Sequence, residues 1–370
     1  MSEEQHFYGG QAIMEGVMMR GTDSWGAAVQ RKDGTVVTTH ETIKDLTHKY
    51  KWAKWPLVRG NVALLDTMVL GIRSLMFSFN VLVEEQAEIE RAEAEQKTAE
   101  AAVASVLSEA DAAPGKGKKA KKTPKKQQDM GWAIWLAMLP SMAIGMGLFI
   151  LLPAALIKWL PMLTQDSHVL KNLLEGMVRL VIILGYIAGI SLLPDIRRLF
   201  QYHGGEHATI NCYEAGEPVD MAHCLLHSPL HPRCGTAFLL VFIVVKILVG
   251  AVLPYPDVMW QLLVLRLAMI PIVAALAYEI IRYGGRHRES LLSRVLAQPG
   301  LLMQRLSTRP PTEQQVKIAI YALATVAGPE VTLPADFAAP VAATMDGKLL
   351  RGEAAAVTET VAAGDPETLS

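Results

Sequence analysis

The hydrophobic pattern of this chain is dominated by runs too long for one face of a soluble helix. From Met130 to Ile157 there are 28 residues without a charge, more than the roughly 20 that cross a hydrocarbon core of about 30 Å. A second run, Leu173 to Pro194, is interrupted by Glu175 and Arg179. A third, Gly235 to Tyr255, carries Lys246, and a fourth, Val258 to Ile281, carries Arg266. The link Pro254-Tyr255-Pro256-Asp257 reads as a tight turn between the last two. Four transmembrane helices are expected, two within 130–194 and two within 235–281. A buried soluble hairpin is the alternative for the second pair, and the run Leu239 to Val245 argues against it. Lys246 and Arg266 would lie in or near the bilayer, where charges are costly and often functional unless they reach the interface; neither is assigned a role.

The remaining segments read as cytoplasmic. Residues 1–60 form an N-terminal module in which Trp25 to Gln30, Lys32-Asp33-Gly34 and Thr35 to Thr39 predict a β-hairpin. Asp-Gly suits the tight turn, and β-branched residues follow it. Residues 61–83 are helical and very apolar but hold Asp66 and Arg73. That suits an interfacial or re-entrant helix better than a fifth span. Residues 84–129 divide into an Ala/Glu-rich solvated helix and a lysine-rich linker. The loop 195–234 follows the second span. Residues 282–328 hold two helices, Glu289 to Leu306 and Glu313 to Val326, separated by Arg309-Pro310-Pro311. Residues 329–370 are expected to be a disordered tail. The fold class expected is mainly α, a polytopic membrane protein of about four transmembrane helices with a small α/β cytoplasmic portion.

Composition agrees. Apolar residues make up 51% and charged residues 19%, against about 25% charge in an average soluble domain, and mean hydropathy is +0.26. A net charge of −1 gives no electrostatic case for nucleic acid. Met1 to Tyr8 is polar, with no apolar signal region, so secretion is not expected. Lys116, Lys118, Lys119, Lys121, Lys122, Lys125 and Lys126 precede the first span. Arg197 and Arg198 follow the second, and Arg282, Arg286 and Arg288 follow the fourth; only Lys158 and Lys171 lie opposite. The positive-inside rule then predicts a multi-pass membrane protein with both termini and the 195–234 loop in the cytoplasm. Membrane lipids are the expected partners, and homo-oligomerisation stays open.

The candidate chemistry is concentrated in one loop. All three cysteines and five of the ten histidines lie between His203 and Cys234. In a reducing cytoplasm such cysteines suit metal ligation, nucleophilic chemistry or packing better than disulfides. His203-Gly204-Gly205-Glu206-His207 fits H-x-x-E-H: on a helix the imidazoles at i and i+4 share a face and can grip one zinc, with the carboxylate beside them as general base. Zinc brings the pKa of bound water near 7. The two glycines cost about 2 kcal/mol of helix relative to alanine, so a loop or a helix start is also open. His231-Pro232-Arg233-Cys234-Gly235 resembles a knuckle, with two ligands three apart and a glycine after the second. His and Cys are ligands zinc favours. His203, His207, His231 and Cys234 are the candidate zinc ligands and Glu206 the candidate base. His223, Cys224 and His227 are alternates, Cys212 reads as core, and Glu214 could stand in or behind the ligand set. Against this, each histidine taken singly could merely hydrogen-bond within an interhelical loop.

The other candidate stretch is Gly9-Gly10-Gln11-Ala12-Ile13-Met14-Glu15-Gly16-Val17-Met18-Met19-Arg20-Gly21. Its glycines suggest close backbone packing or a ligand cradle, and no Gly-Lys-Ser/Thr follows to make a P-loop. Glu15 and Arg20 are its chemically useful residues, a carboxylate for metal or proton transfer and a guanidinium for a phosphate or carboxylate. A packed turn with Arg20 in a salt bridge is the bland alternative.

Gly9 to Gly21, His203 to His207, Tyr213-Glu214, His231 to Gly235 and Gln304 to Pro310 together resemble an uncharacterised bacterial integral-membrane family. It is catalogued as a domain of unknown function and often labelled "predicted metal-dependent enzyme". The resemblance covers roughly residues 7–83 and 130–327. Two function classes follow. One is a membrane-bound zinc-dependent hydrolase acting on a lipid-linked or membrane-delivered substrate. The other is a non-enzymatic membrane scaffold or accessory protein with a structural metal. Three protein ligands with an open position favour the first, and four closed ligands the second.

Overall fold

The computed structural model describes residues 8–43, 50–109, 131–159, 167–287 and 290–350. The chain opens on four antiparallel strands in sequence order: β1 (Gly9–Ile13), β2 (Gly16–Arg20), β3 (Ser24–Gln30) and β4 (Val36–Thr42). The β3–β4 hairpin turns at Asp33-Gly34, where Gly34 takes φ +85° and the Asp33 carboxylate accepts from the Thr35 amide at 2.8 Å. The glycine-rich opening run is itself a hairpin, turning at Met14-Glu15. Its strands pair Gly10 with Met19 and Gln11 with Met18.

Strand alternation gives this sheet two apolar faces. Val17, Met19 and Ala28 point one way; Ile13, Met18, Trp25, Ala27 and Val29 point the other. The second face is covered by one continuous helix, α1 (Val58–Glu109), through Leu70, Phe77 and Val81. Arg31 pairs with Glu85 and Glu88, and the Asn80 amide donates to the Met345 carbonyl at 3.0 Å. This corrects the expected break between 61–83 and 84–129. The Ala/Glu-rich stretch continues the apolar one because no glycine or proline separates them. The lysine-rich linker lies outside the described residues.

Past α1 the chain is helical: α2 (Gly131–Met146), running through a π-helical stretch at Gly147–Leu151 into α3 (Leu152–Trp159); α4 (His168–Ile190); α5 (Pro194–Glu214); α6 (Gly235–Ala251); α7 (Met259–Ala268); α8 (Ile270–Arg286); α9 (Leu291–Ser307); and α10 (Glu313–Ala327). Among the described residues, four helices are long and apolar enough to cross a membrane: Val58–Glu100, Leu139–Trp159, His168–Ile190 and Met259–Gly284. The apolar helix Gly235–Ala251 is shorter. At one end of the bundle Asn172 donates to the Leu253 carbonyl at 2.9 Å and Lys158 to that of Asp257. At the other, Arg59 pairs with Glu279, and Arg309 donates to the Ser191 hydroxyl at 3.3 Å.

The first face of the sheet is covered by α5 and α10, through Tyr202, Ile210, Ile318 and Tyr321. A capping box, Thr312 with Gln315, starts α10. After α10 the chain does not fray as the composition of 329–370 suggests. Val331 is buried, Phe337 packs on Tyr321 with ring centroids 5.1 Å apart, and the Tyr321 hydroxyl donates to the Ala338 carbonyl at 2.6 Å. β5 (Val341–Ala342) then adds in parallel to β4. Three anchors and backbone pairing order a segment too poor in large apolar groups to announce itself. Residues 351–370 lie outside the described ones.

Candidate metal centre

The H-x-x-E-H motif sits in the middle of α5 rather than in a loop. Its glycines are there for contact. A Cβ on Gly204 would stand 2.0 Å from the Arg309 carbonyl oxygen, and one on Gly205 2.9 Å from that of Gln315. The backbone approach of α5 to the Arg309–Gln315 segment offsets the loss of helix propensity. Gly10 does the same from the sheet: a Cβ there would meet the Met18 carbonyl at 2.6 Å and the Glu206 carboxyl at 2.8 Å. Gly10 is thus the position in the opening run that lets β1 reach α5.

Three ligand atoms converge. Those of His203, His207 and Cys234 lie within 4.8 Å of one another, the two rings have centroids 4.4 Å apart, and His203 Nε2 is 3.1 Å from Cys234 Sγ. The other nitrogens are committed: His203 Nδ1 is 2.8 Å from the Ser307 carbonyl oxygen and His207 Nδ1 2.7 Å from that of Pro229. A carbonyl only accepts, so each Nδ1 carries the proton and each Nε2 lone pair faces the centre, the tautomer that outer-shell partners impose on metal-binding histidines. Buried His207 Nε2 has no hydrogen-bond partner, and burial lowers this histidine's pKa, which favours the neutral ligand form. Cys234 is the N-cap of α6, its sulfur accepting from the Thr236 amide at 3.4 Å.

Glu206 lies beside this group, 3% exposed. Burial pushes its pKa up to about 7, opposed by His203, His231 and a hydrogen bond from the Gly10 amide. Its Oε2 has no partner. A nitrogen base and a carboxylate oxygen at adjacent residues are thus both buried without a hydrogen-bond partner, a donor pair that could accept a cation.

His231, expected as a fourth ligand, stands apart. Its ring is 5.7 Å from that of His207, but Nδ1 accepts from the Arg233 amide at 3.4 Å and Nε2 is 3.6 Å from Glu214, which also pairs with Arg233. Glu15 and Arg20 are not brought to the group either. Glu15, at φ +52° in the β1–β2 turn, accepts from Arg198 at 2.5 Å and from Tyr202 at 3.2 Å. Met19 faces α5, so strand parity sends Arg20 to the opposite face. There it lines a cleft of 730 Å³ with Trp25, His40, Asp66 and Arg73.

The sequence reading assigned no role to Gln304 or Ser307, although both lie in the Gln304 to Pro310 run that carries part of the resemblance, and it did not single out Asn211. Gln304 clamps the His231 backbone from both sides, accepting from its amide at 2.9 Å and donating to its carbonyl at 2.8 Å. Asn211, one turn after His207, donates to the Ser228 and Leu230 carbonyls at 2.7 and 3.1 Å and so fixes the loop that supplies the Pro229 carbonyl. Its i+4 offset from His207 was the available signal. Cys212, Glu217 and His227 also hold ligand atoms within 4.8 Å. There, however, the Cys212 thiol donates to the Pro218 carbonyl at 3.3 Å and burial raises its pKa, so the protonated thiol is favoured.

The model of the family described as "Protein of unknown function (DUF1385)" matches residues 55–328. The chain is also 30% identical over 318 residues to the "Uncharacterized protein YqhQ" of Bacillus subtilis, covering 85% of this chain and 90% of that protein. No solved structure matches.

Proposed function

We propose that this chain, which belongs to the DUF1385 family of proteins of unknown function, is a membrane-bound, zinc-dependent hydrolase working at the cytoplasmic membrane surface. The observation that carries the reading is the ligand geometry of His203, His207 and Cys234, with both Nδ1 atoms spent on carbonyls and both Nε2 atoms turned inward. Three protein ligands leave one position of a tetrahedral ion open, the feature that separates catalytic from structural zinc. The ion would act there as a Lewis acid. Glu206 offers a buried carboxylate with a free oxygen to take a proton, and the Gly10 amide orients it. His231 and Glu214 line the approach as a polar pair, held by Gln304 and Arg233. Cys234 stands where α6 enters the apolar bundle, so a lipid-linked or membrane-delivered substrate suits the site best.

Elemental analysis of the detergent-purified chain, prepared without chelators, tests the metal. Near-stoichiometric zinc in the wild type, lost in both His207→Ala and Cys234→Ala but kept in His231→Ala, is the expected result. Absence of metal from the wild type sinks the reading. Glu206→Gln separates catalysis from structure: it should retain the metal and lose roughly a hundredfold in turnover of a lipid-linked ester or phosphoester. Unchanged turnover would favour a scaffold whose metal is structural.

A further inference from the structure

The interruptions in the apolar runs meet inside the helical bundle. Glu175 and Arg179 of α4, Lys246 of α6 and Arg266 of α7 form one cluster. Glu175 accepts from Arg179 Nη2 at 2.5 Å and from Arg266 Nη2 at 2.9 Å, and is 1% exposed. Arg266 also donates to Asn172 Oδ1 at 2.5 Å and lies over the Tyr255 ring, 5.8 Å from its centroid. Arg179 Nε donates to the Phe149 carbonyl at 2.8 Å. Lys246 makes no hydrogen bond or ion pair among the described residues, yet lies in electrostatic reach of Arg179, Arg266 and Glu175. Among the described residues neutral acceptors do not close the gap: Arg179, Arg266 and Lys246 share one carboxylate whose two oxygens are already taken. Arg266 is 5% exposed, and its Nε is buried with no partner.

Two buried guanidiniums and a half-buried ammonium around one carboxylate are a costly arrangement, and more so in an apolar bundle. Opposite charge relieves it, and paired guanidiniums with an ammonium are the donor set that suits a phosphate oxyanion. Lys246 follows Cys234 by twelve residues on one helix path, so this cluster stands about 18 Å along α6 from the candidate metal centre. It is at the end of the bundle marked by Asn172 and Leu253, away from the sheet.

We propose that the Glu175–Arg179–Lys246–Arg266 cluster is a second ligand site, binding a phosphate-class anion at the end of the bundle remote from the sheet. A phosphodiester of an anionic lipid and free inorganic phosphate share this chemistry. Lys246 is the recognition residue to vary, because Arg179 and Arg266 also hold Glu175 in place. The full chain, in detergent, is titrated with inorganic phosphate at constant ionic strength. It is also placed in phosphatidylcholine nanodiscs with and without phosphatidylglycerol, and the unfolding midpoint is followed in each. A saturable rise with phosphate identifies the free anion; a rise only with phosphatidylglycerol, with that lipid retained in native mass spectra, identifies the lipid. Lys246→Met should weaken the response by about tenfold, the worth of one charge-assisted contact, and Lys246→Arg should keep it. No response to either probe, or an equal response in wild type and Lys246→Met, overturns the proposal.

Discussion

Gly204 shows how a single position can be decided by comparing magnitudes. Helix propensity alone says that alanine there gains about 1 kcal/mol. A new Cβ 2.0 Å from a backbone oxygen cannot be relieved by turning a side chain, and overpacking of that kind costs about 1–3 kcal/mol. Gly204→Ala is therefore expected to lose on the order of 1 kcal/mol net, read by denaturant unfolding in detergent; a gain in stability would mean that α5 does not approach Arg309 this closely. The residue types of the candidate centre were legible in the sequence, because His, Glu and Cys at helical and knuckle spacings are rare together. Their setting was not. A glycine pair inside a helix reads as a break until the carbonyls it makes room for are known. The parity that parts Arg20 from Met19 needs the strand to be recognised first, and the Met- and Gly-rich run gives no β-branched alternation to signal it. Likewise the pairing of Glu175 with Arg266 joins residues 91 apart, a distance no local pattern spans.

At the scale of elements, α1 is the least obvious. Its outward side carries Leu65, Val69, Ile72, Met76, Phe79 and Val83, all exposed, while its inward side buries Leu70, Phe77 and Val81. Being apolar on both sides makes it look like a span. The inward contacts give it a different task, as the cover of one sheet face. Phe77 is fully buried beside Trp25, so Phe77→Ala is expected to cost about 3–5 kcal/mol, measured by denaturant unfolding followed through tryptophan emission. A loss below about 0.5 kcal/mol, the size of a surface change, would detach α1 from the sheet. The β3–β4 hairpin could be read in advance because Asp-Gly fixes its turn. The ordered stretch to residue 350 could not, since β5 is only two residues long and takes its register from β4.

At the scale of the molecule, the sheet constrains how the chain can lie in a membrane. β4 ends at Thr42, α5 covers the same sheet, and β5 returns to pair with β4, so all three must stand on one side. The number of crossings between Thr42 and Pro194, and again between Glu214 and Val341, must then be even. Length and composition alone nominate α1, the α2–α3 helix and α4 before α5, which is three, and sheet packing removes α1 as the odd member. After α5, among the described residues, they nominate only Met259–Gly284, and parity requires a second. Gly235–Ala251 is the available helix, and its 17 residues reach about 26 Å at 1.5 Å per residue, enough for a thin or locally compressed hydrocarbon layer. In a membrane, four crossings are therefore expected, with the sheet and the His203–His207–Cys234 group on one side and the turn at Asp257 on the other. By the positive-inside rule, the basic residues Arg197, Arg198 and Arg282 at the sheet-side ends predict that this side faces the cytoplasm. Single cysteines placed at Lys32, in the exposed β3–β4 turn, and at Asp257 test this with a membrane-impermeant maleimide. In intact spheroplasts Asp257→Cys is expected to label and Lys32→Cys to be protected, with the order reversed in inverted vesicles. Labelling of both from the same side would mean an even number of crossings between them, so that either α6 does not cross or α1 does; a loss of about 3–5 kcal/mol in Phe77→Ala, which keeps α1 on the sheet, would leave α6 as the helix that does not cross.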